Sequence, residues 1–244
     1  MATQNSSPAV HPAADASTVA VFQDTWTLYR KVVENNYLCH REAYGALHDA
    51  LTGRGRSPFR FLDIACGDAT ASAYALQGTA VTHYRGMDFS TQALELAAAA
   101  LAGLGCHVVL EEGDFLDLVP NRRDIADVVW MGLSLHHLQQ LDKLVFMRHV
   151  RSALAPGGSF LIYENSLRPD EDRDGWMGRW DDQRPNWTAF SEPEWDTVTG
   201  HVHAADYPET TETWHRLGQE AGFSRAAHVL TTQTELFSVY RFDA

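Results

Sequence analysis

The apolar and polar positions follow two rhythms along the chain. From about Thr18 to Leu51, Phe22, Trp26, Tyr29, Val33 and Tyr37 recur at spacings of three and four, which predicts a helical stretch with one apolar face. Asn35-Asn36 marks a break within it, and Gly53 a stop. Short apolar runs then alternate with helix-period segments. Strands are expected at Phe59 to Ala65, Tyr84 to Phe89, His107 to Leu110, Ala126 to Met131 and Phe160 to Tyr163. Helices are expected at Ala69 to Leu76, after a Ser90 cap, and at Leu141 to Leu154, closed by Pro156-Gly157-Gly158. A helix over Thr211 to Ala221 and strands near Arg225 to Leu230 and Leu236 to Phe242 close the chain.

This alternation predicts an α/β fold, doubly wound, with a mostly parallel seven-stranded sheet and an antiparallel C-terminal strand. Residues 1–18, rich in Ala, Ser and Pro, read as a flexible tail rather than a targeting segment. Residues 19–56 read as an N-terminal helical lid and 57–244 as the main domain. Within it, 166–209 forms an insertion after the fifth strand, where Ser191 and Glu194 offer a capping box.

Composition narrows the function classes. The net charge of −13, with lysine only at 31 and 143, disfavours a phosphate backbone or an acidic lipid surface as partner. Cys39, Cys66 and Cys106 form no CxxC pair and suit a reducing compartment, so a cytoplasmic location is expected. No apolar run reaches the length of a membrane span. Nothing here fixes the oligomeric state.

The candidate chemistry starts at Asp63-Ile64-Ala65-Cys66-Gly67-Asp68-Ala69, where the first strand turns into a helix. Small residues at 65, 67 and 69 let a ligand approach the backbone, at the end of the sheet where such folds bind ligands. That turn alone suits a nicotinamide dinucleotide, S-adenosylmethionine (SAM) or no ligand. Asp88, ending the second strand, offers a forked acceptor for ribose hydroxyls, and Asp114 with Phe115 follows the third. A carboxylate at 63 would repel a pyrophosphate but not the sulfonium and ammonium of SAM.

Taken together, Leu62-Asp63-Ile64-Ala65-Cys66-Gly67, Met87-Asp88, Gly113-Asp114-Phe115 and Leu154-Ala155-Pro156-Gly157-Gly158 resemble the class I SAM-dependent methyltransferases, in order and spacing, through the fifth strand. The resemblance implies SAM as cofactor, S-adenosylhomocysteine as product and a small-molecule acceptor. It implies that Asp63, Ala65 and Gly67 hold the methionine part, Asp88 with Phe89 the ribose, and Asp114 with Phe115 the adenine. Met131 and Gly132 would lie beside the sulfonium. The family usually has Gly where Ala65 and Ala69 stand; if those positions need a positive φ, Ala costs on the order of 1 kcal/mol.

After the fourth strand, His136 or His137 is a candidate general base, since an imidazole titrates near neutrality. Tyr29, Asn36, Tyr37 and His40 of the lid, with Asn165 and Trp180, are candidate acceptor contacts; Tyr29, Asn36 and His40 are expected on one helical face. In His201-Val202-His203-Ala204-Ala205-Asp206 the two histidines do not face each other on a helix, so no metal is expected. A nicotinamide-dependent oxidoreductase and a non-catalytic SAM-binding protein remain competing readings.

Overall fold

The computed structural model describes residues 26–244, with side-chain surroundings from Leu28 onward. The expected tail at 1–18, the residues from Thr18 to Thr25 expected to be helical, and the side chains of Trp26 and Thr27 lie outside the described residues. Two helices open the chain, α1 (Trp26–Glu34) and α2 (His40–Thr52). They are separate because Asn36 and Cys39 between them are left-handed, at φ 54 and 57. The side chain of Asn36 serves this turn: its Oδ1 accepts from Arg41 N at 2.9 Å and its Nδ2 donates to Glu42 Oε2 at 2.9 Å. The expected common face of Tyr29, Asn36 and His40 is therefore broken, because a residue that reverses the chain cannot continue a stripe.

The α/β body follows: β1 (Phe59–Ile64), α3 (Thr70–Leu76), β2 (Val81–Asp88), α4 (Thr91–Leu101), β3 (His107–Glu112), a single turn α5 (Phe115–Leu118), β4 (Ala126–Gly132), a 3-10 turn (Leu135–His137), α6 (Gln140–Ala153) and β5 (Leu154–Leu167). The insertion carries α7 (Arg173–Asp181), a second 3-10 turn (Arg184–Asn186) and α8 (Glu192–Ala205), which starts in the expected Ser191/Glu194 capping box. A two-residue β6 (Glu209–Thr210), α9 (Thr211–Glu220), β7 (Arg225–Thr231) and β8 (Phe237–Asp243) complete the chain.

The strand order is β3-β2-β1-β4-β5-β8-β7, with β6 beside β5. Only β8 runs against its neighbours β5 and β7. This is the expected seven-stranded doubly wound sheet with one added short strand. Strand β5 is much longer than its apolar stretch predicts. It begins at Leu154, so the Pro-Gly-Gly segment expected as a helix stop lies within it, and it continues to Leu167, so the insertion leaves the sheet after 167 rather than at 166.

Alternate residues of the buried strands feed two cores. Phe61, Tyr84, Trp130, Leu161 and Tyr163 face α2, α3, α4 and the insertion. Leu62, Met87, Met131, Phe160 and Ile162 face α6 and α9. This period-two division decides which side chains at the strand ends reach one site and which cannot.

The turn after β1 has the geometry that glycine usually supplies. Ala65, Gly67 and Ala69 have φ of 55, 54 and 51. Left-handed backbone brings Cβ of an L-residue too close to its own carbonyl. Ala65→Gly and Ala69→Gly are each expected to raise unfolding stability by roughly 0.5–1 kcal/mol, read as a higher denaturant midpoint at unchanged slope. A lower midpoint for both would show that the turn is relaxed as it stands.

Candidate active site

Asp63 stands next to last in β1 and is 1% exposed. Its Oδ2 accepts from the Tyr84 hydroxyl at 2.6 Å. Burial pushes its carboxyl up to about 7 and the nearby Asp88 carboxylate adds to the push, while the Tyr84 hydrogen bond opposes it. Asp88 ends β2. Its Oδ2 accepts from Gly67 N at 2.9 Å and its Oδ1 from Ser90 N at 2.9 Å. Asp88 thus ties the β1 turn to the β2 end, with the Phe89 backbone N–H as a further donor, and a carboxylate's roughly four acceptor sites are not all used by these three donors. Burial raises its carboxyl as well.

Tyr29 of α1 closes over this turn: its hydroxyl lies 3.8 Å from where a Cβ on Gly67 would stand. Burial holds the phenol well above its ordinary range, and Tyr44, Asp68, Asp88 and Asp63 push it further. Among the described residues, none of Asp63, Asp68 and Asp88 is in an ion pair. The turn therefore gathers three carboxyl groups with no ion-paired cation among the described residues, two of them shifted by burial towards the neutral form. Tyr29, expected as an acceptor contact, lies beside this turn.

Other residues expected at the cofactor are placed unequally. Gly132 lies on the same sheet face as Asp63, with Trp130 Nε1 and Tyr44 Oη each 3.5 Å from where its Cβ would be. Met131, fully buried, points into the opposite core, so only its backbone can border a ligand there. Asp114 caps α5 by accepting from Leu116 N at 2.8 Å. Phe115 packs edge-on against Phe146, with ring centroids 5.0 Å apart. Phe89 directly follows β2, beside Asp88.

The expected acceptor residues separate. Tyr37 stacks on Trp187 at 4.5 Å, and its hydroxyl accepts from Ala189 N. Trp180, 3% exposed, stacks between Trp176 and Trp195, and its Nε1 donates to Thr199 Oγ1. Trp180 lies in the core of the insertion, and partly buried Tyr37, between α1 and α2, packs against that cluster of four tryptophans and Phe190. Asn36 is a turn residue, as described above. His40 stays in play. It is buried beside Tyr44 and Tyr163, its Nδ1 has no hydrogen-bond partner, and burial lowers its pKa to about 4, opposed by Glu42. The Tyr163 hydroxyl beside it is likewise unpaired, and sequence reasoning did not assign it. Buried polar atoms without partners are uncommon and call for a ligand or water.

On the far side of β5 lies a second polar group that the apolar pattern hides. Glu164 is completely buried. Its oxygens accept from the backbone N–H groups of Ser134, Leu135 and His136 and meet His136 Nδ1 at 2.6 Å. Asn165, expected as an acceptor contact, donates to Asp206 Oδ2 at 2.8 Å. His136 Nε2 and His137 Nδ1 lie 3.7 and 3.4 Å from Asp206 Oδ1. Burial pushes the His136 imidazole down, but Asp206 and Glu164 outweigh it and hold the imidazole above its usual range. Burial pushes Asp206 up, and His136, His137 and His201 outweigh it to bring the carboxyl down. His136, held between two carboxylates and 5% exposed, is poorly placed to reach an acceptor; His137 is more open. In the sequence Glu164 follows the apolar run Phe160 to Tyr163 and precedes polar Asn165-Ser166, so no pattern marks it as buried.

Residues 61–158 match the family model described as a methyltransferase domain. A demethylmenaquinone methyltransferase of Leptospira interrogans is 30% identical over 130 residues, 52% of this chain and 51% of that protein. The chain thus spans about half the length of the curated relatives it matches. Among solved structures, the DhpI–SAH complex aligns with a TM-score of 0.62 at 16% identity, over 94% of this chain and 95% of that one. An O-methyltransferase family protein from Burkholderia thailandensis aligns with a TM-score of 0.62 at 15% identity, over 87% of this chain and 59% of that one. Identities this low establish the shared fold. Among the described residues no helix is long and apolar enough to cross a membrane.

Proposed function

We propose, on the premise that residues 61–158 are a domain of the methyltransferase family on the class I fold, that the chain binds SAM at the carboxyl ends of β1 and β2 and transfers its methyl group to a small-molecule acceptor. The observation that carries this reading is the cluster of the Asp63, Asp68 and Asp88 carboxyl groups around the β1 turn, with no ion-paired cation among the described residues. A sulfonium and an ammonium relieve that charge, whereas a dinucleotide pyrophosphate would add to it.

When bound, SAM supplies a methyl group already activated on sulfur. The work left to the protein is positioning, which removes much of the entropic barrier. Asp63 faces the amino end of the methionine part, Asp88 the ribose diol and Asp114 the adenine edge. Tyr29 covers the β1 turn and excludes water from it. The acceptor lies under α2, beside the buried and unpartnered His40 Nδ1 and Tyr163 hydroxyl. The similarity to a demethylmenaquinone methyltransferase supports a compact acceptor over a macromolecule.

Calorimetric titration with SAM, S-adenosylhomocysteine and NADH tests the reading. In the free protein Asp63 titrates at about 7. The ligand's ammonium favours the carboxylate and lowers that value, so binding below pH 7 releases a proton. SAM affinity is expected to climb as pH rises towards 7 and to flatten above it, until the ligand's own α-amino group titrates at roughly 7.7–8.0. Buffers of different ionisation enthalpy read the proton directly. No adenosyl binding by folded protein, or binding of NADH in its place, would overturn the proposal; binding without proton release would remove Asp63 from its role.

A further inference from the structure

The geometry points to a site for one divalent transition-metal ion, of the kind zinc occupies, made by His136 Nε2, His137 Nδ1 and Asp206 Oδ1. The inference stands apart from the SAM reading and revises the expectation of no metal. The sequence places two donors in the 3-10 turn after β4 and the third just past α8. The fold brings all three within 4.8 Å of one another.

The pattern of satisfied and unsatisfied atoms argues for an ion rather than a plain ion-pair network. The outward atoms are well bonded: His136 Nδ1 meets Glu164 Oε2 at 2.6 Å, and Asp206 Oδ2 accepts from Asn165 at 2.8 Å. The inward atoms are not. Asp206, 4% exposed, has no hydrogen-bond partner on Oδ1. His137 Nδ1 lies 3.4 Å from that oxygen and 3.4 Å from Ala205 O, and His136 Nε2 lies 3.7 Å from Oδ1. These contacts are long for hydrogen bonds, which cluster at about 2.7–3.2 Å. They suit ligand edges around one ion: metal–nitrogen and metal–oxygen bonds of about 2.0–2.2 Å put tetrahedral ligand atoms roughly 3.3–3.5 Å apart.

The surroundings match what a metal-bound imidazole needs. Glu164 on the distal nitrogen of His136 fixes its tautomer and raises its basicity, and Asn165 fixes the carboxylate. Two imidazoles with one carboxylate favour zinc, cobalt(II) or iron(II) over magnesium or calcium. His137 is the open wall, its side chain 27% exposed against 7% for His136 and 6% for Asp206, so an ion enters past it. Three protein donors leave a position for water or for an oxygen of a bound molecule. The ion would also tie the end of α8 to the turn after β4.

The test uses the full chain stripped by a chelator. It is titrated with cobalt(II), read by its visible absorption, and with zinc(II), read by calorimetry. The variants are Asp206→Asn, which keeps the volume, and His137→Ala, at the open wall. His83→Ala/His107→Ala removes a histidine pair elsewhere, with ring centroids 5.6 Å apart, and serves as control. One equivalent is expected to bind with a dissociation constant below about 10 μM, each site variant weakening it by about tenfold or more and the control leaving it unchanged. Circular dichroism shows whether each variant is folded. No binding by folded protein at about 100 μM metal, unchanged affinity in both site variants, or loss in the control would each overturn the site. SAM titration of the same samples reports the cofactor reading separately.

Discussion

Asp88→Ala is expected to lower SAM affinity by roughly ten- to more than a hundredfold, the equivalent of about 1.5–3 kcal/mol for hydrogen bonds to a charged group. The size follows from the position of this carboxylate. It is 9% exposed, and its two oxygens accept from the backbone N–H groups of Gly67 and Ser90, with the Phe89 N–H adding to the hold on the carboxylate, while a carboxylate offers about four acceptor sites in all. Alanine removes the ribose acceptors and also leaves the amides of Gly67 and Ser90 without their partner, so the β1 turn loosens as the contact disappears. Asp88→Asn keeps one carbonyl acceptor and should fall between the two. Calorimetry gives the affinities, and thermal unfolding of the same samples separates lost binding from lost fold. Unchanged affinity in a folded Asp88→Ala protein would move the ribose elsewhere.

Lys143→Met is expected to cost about 3–5 kcal/mol of folding stability, the usual result of removing one partner of a buried pair. Lys143 has no exposed surface. Its ammonium donates to Glu209 Oε1 at 2.8 Å and to Tyr207 O, and lies 5.5 Å from the centre of the Trp214 ring. Burial lowers the lysine's pKa, while Glu209 opposes that shift. Methionine fills the space but leaves the Glu209 carboxylate, among the described residues, with only Gln140 as side-chain donor. Lys143→Met combined with Glu209→Gln removes both charges and should recover much of the loss. Denaturant unfolding of the two single variants and the double variant gives the coupling. A loss below about 1 kcal/mol for Lys143→Met would show that Glu209 is adequately solvated without its partner.

The lid and the insertion show why aromatic and polar residues at helical spacing are hard to assign. Tyr37 and Trp180 have the composition of a binding wall, yet their rings are consumed by Trp187, Trp176 and Trp195. Asn36 looked out of place on an apolar stripe because it does not lie on one; its left-handed backbone ends the helix. His40, read from the same stripe, is instead buried beside Tyr44 and Tyr163 with its Nδ1 unpaired. Periodicity separates the two sides of an element but does not say what stands opposite.

What the sequence by itself determined is the sheet, its winding and the acidic turn. Alternating apolar strands and amphipathic helices allow few topologies, and Asp63, Gly67 and Asp88 lie at strand ends whose place follows from that winding. Only the tertiary structure decided the strain at Ala65 and Ala69, the rise of the Asp63 carboxyl to about 7, and the meeting of His136 and His137 with Glu164 and Asp206. These depend on distances between residues far apart in the chain. Glu164 is concealed because a polar residue buried in β5 breaks the apolar pattern that marks a strand. Asp206 reaches the turn after β4 only because the insertion folds back, pinned where Tyr207 N donates to His136 O at 2.8 Å. Hydrophobic patterning records that a position is buried; which partner satisfies a buried charge is fixed when the chain closes around it.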